Sequence, residues 1–157
     1  VALRVNGRDE WVMVEGAEPL VVTLRRELAL NGVREACSIG VCGACTVLVD
    51  GVALSGCLLP TRLAEGSAIT TVEGLAADDG TLDPLQEAFV RHNAFQCSYC
   101  TPGFLLAARA LLAEDPEPTA ERVRAALAGN LCRCGSYLKI EAAVLDAASS
   151  IRASGGA

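Results

Sequence analysis

The chain has 157 residues, of which 52% are hydrophobic and 20% charged, a balance typical of a globular protein rather than a disordered one. Its formal net charge is −6 and no basic cluster occurs, which argues against nucleic acid as a partner. No stretch approaches the ~18–20 uninterrupted apolar residues of a membrane span. The N-terminal residues also lack the apolar core of a secretory signal. We therefore expect a cytoplasmic protein without a membrane span.

The first half of the chain predicts strands and turns around one helix. Period-two alternation, together with turn signals of the Asn-Gly and Asp-Gly type, marks the strands. In chain order, the predicted strands begin near Leu3 and then cover 11–14, 46–49, 52–54 and 69–72. Thr23 is predicted to cap a helix that ends at Asn31-Gly32. This order favours a small mixed sheet packed on a single helix.

From about Thr81 the apolar residues follow a helical period. Leu82, Leu85, Phe89 and Val90 form the apolar stripe of the first predicted helix. A second helix starts at Thr101-Pro102, with the threonine as cap and the proline in the first turn. Its predicted inner face consists of Phe104, Leu105, Ala108, Leu111 and Leu112.

Thr119 is predicted to cap a third helix, and a fourth covers about 137–150. The order of helix, cysteine pair and helix therefore occurs twice in this half. Because the pairs lie in helix–helix turns, two such turns can meet across a pseudo-twofold axis and share one cofactor.

The sequence contains eight cysteines, and four of them form a first cysteine set: Cys37, Cys42, Cys45 and Cys57. Their spacing, C-x4-C-x2-C followed by a distant cysteine, is the plant-type ferredoxin spacing for a 2Fe–2S cluster. Three thiolates must converge from one segment, so the loop must curl and turn its N–H groups toward the sulfurs. Gly40 and Gly43 permit this curl, because glycine reaches positive φ at little steric cost.

The other four form a second cysteine set: Cys97, Cys100, Cys132 and Cys134. Zinc is the main alternative here, since four cysteines also build structural zinc sites. Zinc pairs usually leave ~2–4 residues between ligands, and the single residue between Cys132 and Cys134 fits that spacing poorly. Two irons that each take two thiolates accommodate the tight pair more easily. We favour iron–sulfur for all eight, with zinc and, less favoured in a reducing compartment, disulfides as the alternatives.

Three segments, 37–47, 96–103 and 129–134, resemble the small iron–sulfur subunit of the molybdenum hydroxylases, the xanthine dehydrogenase and carbon monoxide dehydrogenase family. The likeness runs from about Leu3 to Ala148. It implies an α+β fold, with an N-terminal β-grasp ferredoxin-like domain at 1–76 and a C-terminal four-helix bundle of pseudo-twofold symmetry at 77–157. The sequence of this chain departs from the common family pattern at three places. These are Ala36, Ser98-Tyr99, where Gly-Phe is usual, and Gly135-Ser136. We expect Tyr99 to stand for a phenylalanine, with its hydroxyl in water.

The resemblance also implies the partners and the role. A large subunit would carry a molybdenum–pterin cofactor of the cytosine dinucleotide form, and a medium subunit FAD, in a dimer of heterotrimers. Electrons would leave molybdenum through the cluster of the second cysteine set, then that of the first, and reach FAD. Gln96 and Cys134 would lie against the pterin. The chain itself would hold no catalytic residue, and the substrate would be selected in the large subunit.

Two other functions stay open from the sequence. The chain could be a free two-cluster ferredoxin that carries electrons between separate enzymes, or a zinc-stabilised interaction module. A mobile carrier needs only the ferredoxin-like half and an exposed cluster edge. The added helical half, with cysteines in its helix turns, favours a relay that is buried between other subunits.

Overall fold

The computed structural model describes residues 1–154; the last three positions of the predicted helical domain, 155–157, lie outside the described residues. Within 1–154 the fold is α+β, with one five-stranded mixed sheet and five α-helices. The strands are β1 (Ala2–Val5), β2 (Arg8–Trp11), β3 (Thr46–Val49), β4 (Val52–Ser55) and β5 (Ala68–Thr70). The helices are α1 (Leu20–Arg26), α2 (Pro84–Arg91), α3 (Thr101–Glu114), α4 (Ala120–Ala126) and α5 (Tyr137–Ser154).

The sheet has the order β2-β1-β5-β3-β4, and only β1 and β5 run parallel. Both predicted two-residue turns are present, Asn6-Gly7 with φ of 50° and 80° and Asp50-Gly51 with 50° and 84°. The return strand predicted at 11–14 is wrong by three residues. It begins at Arg8, because a two-residue turn pairs Val5 directly with Arg8.

The helix α1 lies earlier than predicted, and Thr23 is inside it rather than at its cap. The Thr23 side chain is buried, where its hydroxyl donates to Glu18 Oε1 at 2.6 Å and lies 2.7 Å from Thr61 Oγ1. The left-handed residue after the helix is Ala29 (φ 54°), not Asn31 or Gly32. Long-range hydrogen bonds to the buried threonines therefore override the local capping signal.

The predicted helices of the second half are confirmed, with small shifts at their ends. Cys100 occupies the cap position of α3, one residue before the predicted Thr101. The five residues predicted for the inner face of α3 are all buried. Thr119 caps α4 as predicted, since its hydroxyl accepts from the Arg122 N–H at 3.1 Å. Leu82 and Val90, predicted in the stripe of α2, are instead exposed.

Apolar side chains form two separate cores. The first joins α1 to the sheet and contains residues such as Leu3, Leu24, Val47 and Ile69. The second lies among α2, α3, α4 and α5, around Phe89 and Phe104. No helix among residues 1–154 combines the length and apolar character needed to cross a membrane.

The two halves meet where the loop of the first cysteine set contacts the helical half. Here the Leu131 N–H donates to Cys42 O at 2.9 Å, and the buried Asn130 Nδ2 donates to Gly43 O at 2.9 Å. Gly103 in α3 packs directly against the same Gly43 carbonyl. We call these five residues the loop junction. It fixes the first cysteine loop against two turns of the helical half.

Gly103→Ala should destabilise the protein by about 1–3 kcal/mol, the usual cost of adding a methyl group to a filled site. The added Cβ would lie 2.2 Å from Gly43 O, a backbone atom that cannot rotate away. The measurement is the urea concentration at half-unfolding. Gly129→Ala is the matched control, because a Cβ there has no atom within 4 Å. Equal midpoints for the two variants would contradict this packing.

Asn130→Asp should cost about 1–3 kcal/mol of unfolding free energy, because a buried carboxylate oxygen would face Gly43 O where an amide donor now binds it. Chemical denaturation at neutral pH measures the loss. Asn31→Asp makes the same chemical change at an exposed position and should stay within about 0.5 kcal/mol of the parent. If Asn130→Asp were as stable as this control, the Asn130 amide would not stabilise the loop junction.

Candidate metal centres

Each cysteine lies in a connection between regular elements. In the first cysteine set, Cys37, Cys42 and Cys45 occupy the loop between α1 and β3, and Cys57 follows β4. In the second, one pair lies between α2 and α3 and the other between α4 and α5. All eight are free thiols. The disulfide alternative is therefore not the arrangement found.

Positive φ angles curl the loop of the first cysteine set. They occur at Ser38 (55°), Gly40 (75°) and Gly43 (68°). The two glycines were predicted to supply this curl, while Ser38 carries no such signal in the sequence. Leu58 packs onto Gly40 so closely that a Cβ there would lie 2.3 Å from Leu58 Cδ1. The positive φ favours glycine at this position, whereas the Leu58 side chain is exposed and could move aside.

The curled loop directs backbone N–H groups at the Cys37 sulfur. Hydrogen bonds from the N–H groups of Ile39 and Cys42, then from the Cys42 side chain and Val41 N–H, lower the pKa of the Cys37 thiol to about 6. The Cys57 N–H donates to Cys45 Sγ at 3.4 Å, but burial raises the pKa of Cys45 to about 11. The first set therefore contains one half-buried thiol with a lowered pKa and a buried pair, Cys45 and Cys57.

The second cysteine set repeats this division. A hydrogen bond from the Tyr99 N–H, followed by one with the Cys134 side chain, lowers the pKa of Cys97. Burial raises the pKa of Cys100 to about 12, and the Cys132 side chain adds to this increase. For Cys132, burial acts upward, but hydrogen bonds outweigh it and lower the pKa. The first of them comes from the Ser136 N–H, 3.4 Å from the sulfur.

The thiols influence one another in twos. The side chain of one thiol contributes to the pKa shift of the other in four pairs: Cys37 with Cys42, Cys45 with Cys57, Cys97 with Cys134 and Cys100 with Cys132. Among residues 1–154, no group of three or more His, Cys, Asp or Glu side chains is arranged to hold a single metal ion. Paired thiols with N–H donors at their sulfurs are the donor set that a 2Fe–2S cluster requires, because each iron takes two thiolates. The residues present thus fit this cofactor.

The predicted pterin contacts also come together. Gln96 and Cys134, 38 positions apart in the sequence, line one cleft of about 560 Å³ at the far side of the second cysteine set. Ser136 and Lys139 lie in the same cleft. The Gln96 side chain is exposed there, so it is available to a partner.

The structure corrects the expectation for Tyr99. Its hydroxyl is not left to water but donates to the Glu35 carbonyl oxygen at 2.7 Å. The bond of the Asn130 amide was not predicted from the sequence, and its acceptor, Gly43 O, lies 87 positions away. The departure from a phenylalanine at Tyr99 was a usable signal for the first contact; no local pattern indicated the second.

Comparisons with known proteins agree with this geometry. Residues 71–145 match the family described as the 2Fe–2S binding domain. The nicotine 6-hydroxylase small subunit of Paenarthrobacter nicotinovorans is 50% identical over 151 residues, which cover 96% of this chain and 90% of that protein. A nicotinate dehydrogenase subunit of Pseudomonas putida is 44% identical over 152 residues, covering 97% of this chain and 96% of that protein.

Solved structures show the same fold. Quinoline 2-oxidoreductase from Pseudomonas putida 86 superposes with a TM-score of 0.93 at 40% identity, over 100% of this chain and 97% of that one. The aldehyde oxidoreductase of Desulfovibrio desulfuricans gives 0.92 at 42% identity, over 97% of this chain but 17% of that longer one. Agreement in sequence, length and fold over almost the entire chain places it with the small iron–sulfur subunits of the molybdenum hydroxylase family, to which it belongs.

Proposed function

We propose that the chain is the electron-transfer subunit of a molybdenum hydroxylase and holds two 2Fe–2S clusters. The observation that supports this proposal most directly is the arrangement of the eight free thiols. They form two sets of paired sulfurs, and each set has a backbone N–H donor at a sulfur. The first cluster would be held by Cys37, Cys42, Cys45 and Cys57, and the second by Cys97, Cys100, Cys132 and Cys134.

The pairing of sulfurs supports an assignment of ligands to individual irons. One iron of the first cluster would take Cys37 and Cys42, and the other Cys45 and Cys57. In the second cluster the pairs would be Cys97 with Cys134 and Cys100 with Cys132.

Bound clusters of this type supply reversible one-electron oxidation and reduction. The chain's own residues set the conditions for that chemistry. Backbone N–H groups of Cys57 and Ser136 point at sulfurs and stabilise negative charge there, while burial of Cys45 and Cys132 excludes water. The chain supplies no catalytic residue of its own.

The surroundings of the two sets support a direction of electron flow. Gln96 and Cys134 line the cleft beside the second set, where we propose that they contact the molybdenum–pterin cofactor of the large subunit. Electrons would enter there, pass across the loop junction to the first set, and leave for FAD in a medium subunit. Exposed aliphatic side chains around the first loop, Ile39, Val41 and Leu58, suit a partner on that side.

We further propose two domains, 1–76 and 77–157, the second a four-helix bundle of pseudo-twofold symmetry formed by α2, α3, α4 and α5. Two separate cores support the division, although Val72 and Leu75 pack against the helical core and draw the packing boundary slightly earlier. Cysteines follow α2 and α4 in equivalent turns, which supports the symmetry. A β-grasp description suits the first domain, whose sheet packs on α1.

For the assembly we propose a dimer of heterotrimers in the cytoplasm, with the pterin in its cytosine dinucleotide form. The relatives named above act on nicotine, nicotinate and quinoline, and another relative is the iron–sulfur-binding subunit of a xanthine dehydrogenase. Because the substrate binds at molybdenum in the large subunit, the residues of this chain support the hydroxylase class and not one substrate within it.

Metal analysis and EPR spectroscopy test the two clusters. The purified complex should contain about four irons and four sulfides per chain, and dithionite should produce two distinct signals of equal spin. Cys57→Ser should abolish or alter only the signal of the first cluster, and Cys100→Ser only that of the second, so each variant is the control for the other. Stoichiometric zinc, or about two irons and a single signal, would refute the two-cluster proposal.

Native gel filtration tests the assembly. A tagged chain expressed together with its neighbouring genes should elute with two larger subunits that carry molybdenum and FAD. Electrophoresis, metal analysis and flavin absorption identify these partners in the same fractions. A lone 16.2 kDa species that still contains both clusters would instead favour the free electron carrier.

A further inference from the structure

Tyr99 joins the two cysteine sets through its two ends. It lies between Cys97 and Cys100, in the turn that carries one pair of the second set. Its side chain crosses to the other half of the molecule, where the hydroxyl donates to Glu35 O at 2.7 Å. Glu35 precedes Cys37 by two residues. A residue of one set thus contacts the backbone that carries the other.

Arg34 strengthens this connection. Its guanidinium carbon lies 5.4 Å from the centre of the Tyr99 ring, within the range of a cation–π interaction. Among residues 1–154 its buried Nε has no hydrogen-bond acceptor, and the cation–π contact with Tyr99 is the interaction that the guanidinium makes in this region. The Arg34 N–H in turn donates to Ala44 O at 3.2 Å, next to Cys45. The ring is therefore linked to both ends of the first cysteine loop.

The segment that receives the Tyr99 hydroxyl is itself ordered by local bonds. The Ser38 hydroxyl donates to Glu35 Oε1 at 3.0 Å, which holds the left-handed Ser38 (φ 55°) directly after Cys37. Any movement of Glu35 would thus be passed to Cys37. The hydroxyl bond of Tyr99 acts on a cysteine of the first set through only a few covalent bonds.

The loop junction attaches the first loop at Cys42 and Gly43, on its other side. Tyr99 reaches the opposite end of this loop, near Cys37. We propose that Tyr99 is a positioning residue that holds this end and so contributes to the separation and orientation of the two clusters. This inference rests on the proposed function, because it requires both cysteine sets to hold a cluster.

Tyr99→Phe isolates the hydroxyl, because it keeps the ring beneath Arg34 and removes only the bond to Glu35. Loss of one hydrogen bond should lower the ratio of molecules with the loop held at Glu35 to molecules with it released by about fivefold. In the fully reduced enzyme complex both clusters would be paramagnetic. The strength of their magnetic interaction would depend on the distance between them and on their relative orientation. We expect Tyr99→Phe to weaken and broaden the spin–spin splitting in low-temperature EPR spectra, and to slow electron transfer between the clusters after rapid mixing with substrate.

Tyr137→Phe is the matched control, since the chain has two tyrosines. The Tyr137 hydroxyl accepts from the Cys132 N–H at 2.8 Å, within the second set, and does not reach the first loop. This variant should change the potential or line shape of the second cluster and leave the spin–spin splitting at its parental value. Arg34→Met, which keeps the hydroxyl bond and removes the cation, should weaken the splitting to a smaller degree and provides a second test if Tyr99→Phe does not assemble.

The outcomes separate the two proposals. About two irons per chain in the parent complex would overturn the proposed function and, with it, the role of Tyr99. About four irons in all variants, with the same splitting in parent, Tyr99→Phe and Arg34→Met, would overturn the role of Tyr99 alone. A loss of splitting in Tyr137→Phe as large as in Tyr99→Phe would also overturn it, because the effect would then not require contact between the sets.

Discussion

The carbonyl groups of Cys42 and Gly43 are the contact on which the arrangement of the whole molecule depends. They receive the Leu131 N–H and the Asn130 amide, and Gly103 packs on them without a side chain between. These bonds join the backbone beside one cysteine set to the backbone beside the other. The two cores share no residue, and the packing of α3 on β3 and β4 extends the contact between the halves beyond these bonds. A relay between two clusters needs a fixed orientation, because electron transfer slows steeply with distance.

Local signals predicted the elements that depend on the local chain. Asn6-Gly7 and Asp50-Gly51 formed the expected turns, Thr119 formed the expected cap, and the inner face of α3 was identified from its period. The cysteine spacings located the candidate site, since their sulfurs must converge from turns whose geometry the sequence prescribes. Spacing could also distinguish the two sets, because one is a curled loop and the other consists of two helix–helix turns.

Contacts between distant segments could not be predicted in the same way. Thr23 was misplaced as a cap because a buried hydrogen bond to Thr61, 38 positions away, holds it inside α1. Asn130 lies in a turn where an asparagine is ordinary, and nothing local indicates that its amide binds Gly43. The hydroxyl of Tyr99 was assigned to water for the same reason. In each case the partner is supplied by tertiary packing, which decides between local alternatives of similar free energy.

Ionisation of the thiols shows how a chain without catalytic residues can still prepare a site. Low pKa values occur where backbone N–H groups face the sulfur, at Cys37 and Cys97, and high values where burial dominates, at Cys45 and Cys100. Iron binding requires thiolates, and backbone N–H groups that face a sulfur favour this ionised form. The same N–H groups would stabilise the extra electron of a reduced cluster. Metal binding and electron storage would then depend on one set of backbone donors, which the glycine-curled loop of the first set and the helix turns of the second provide.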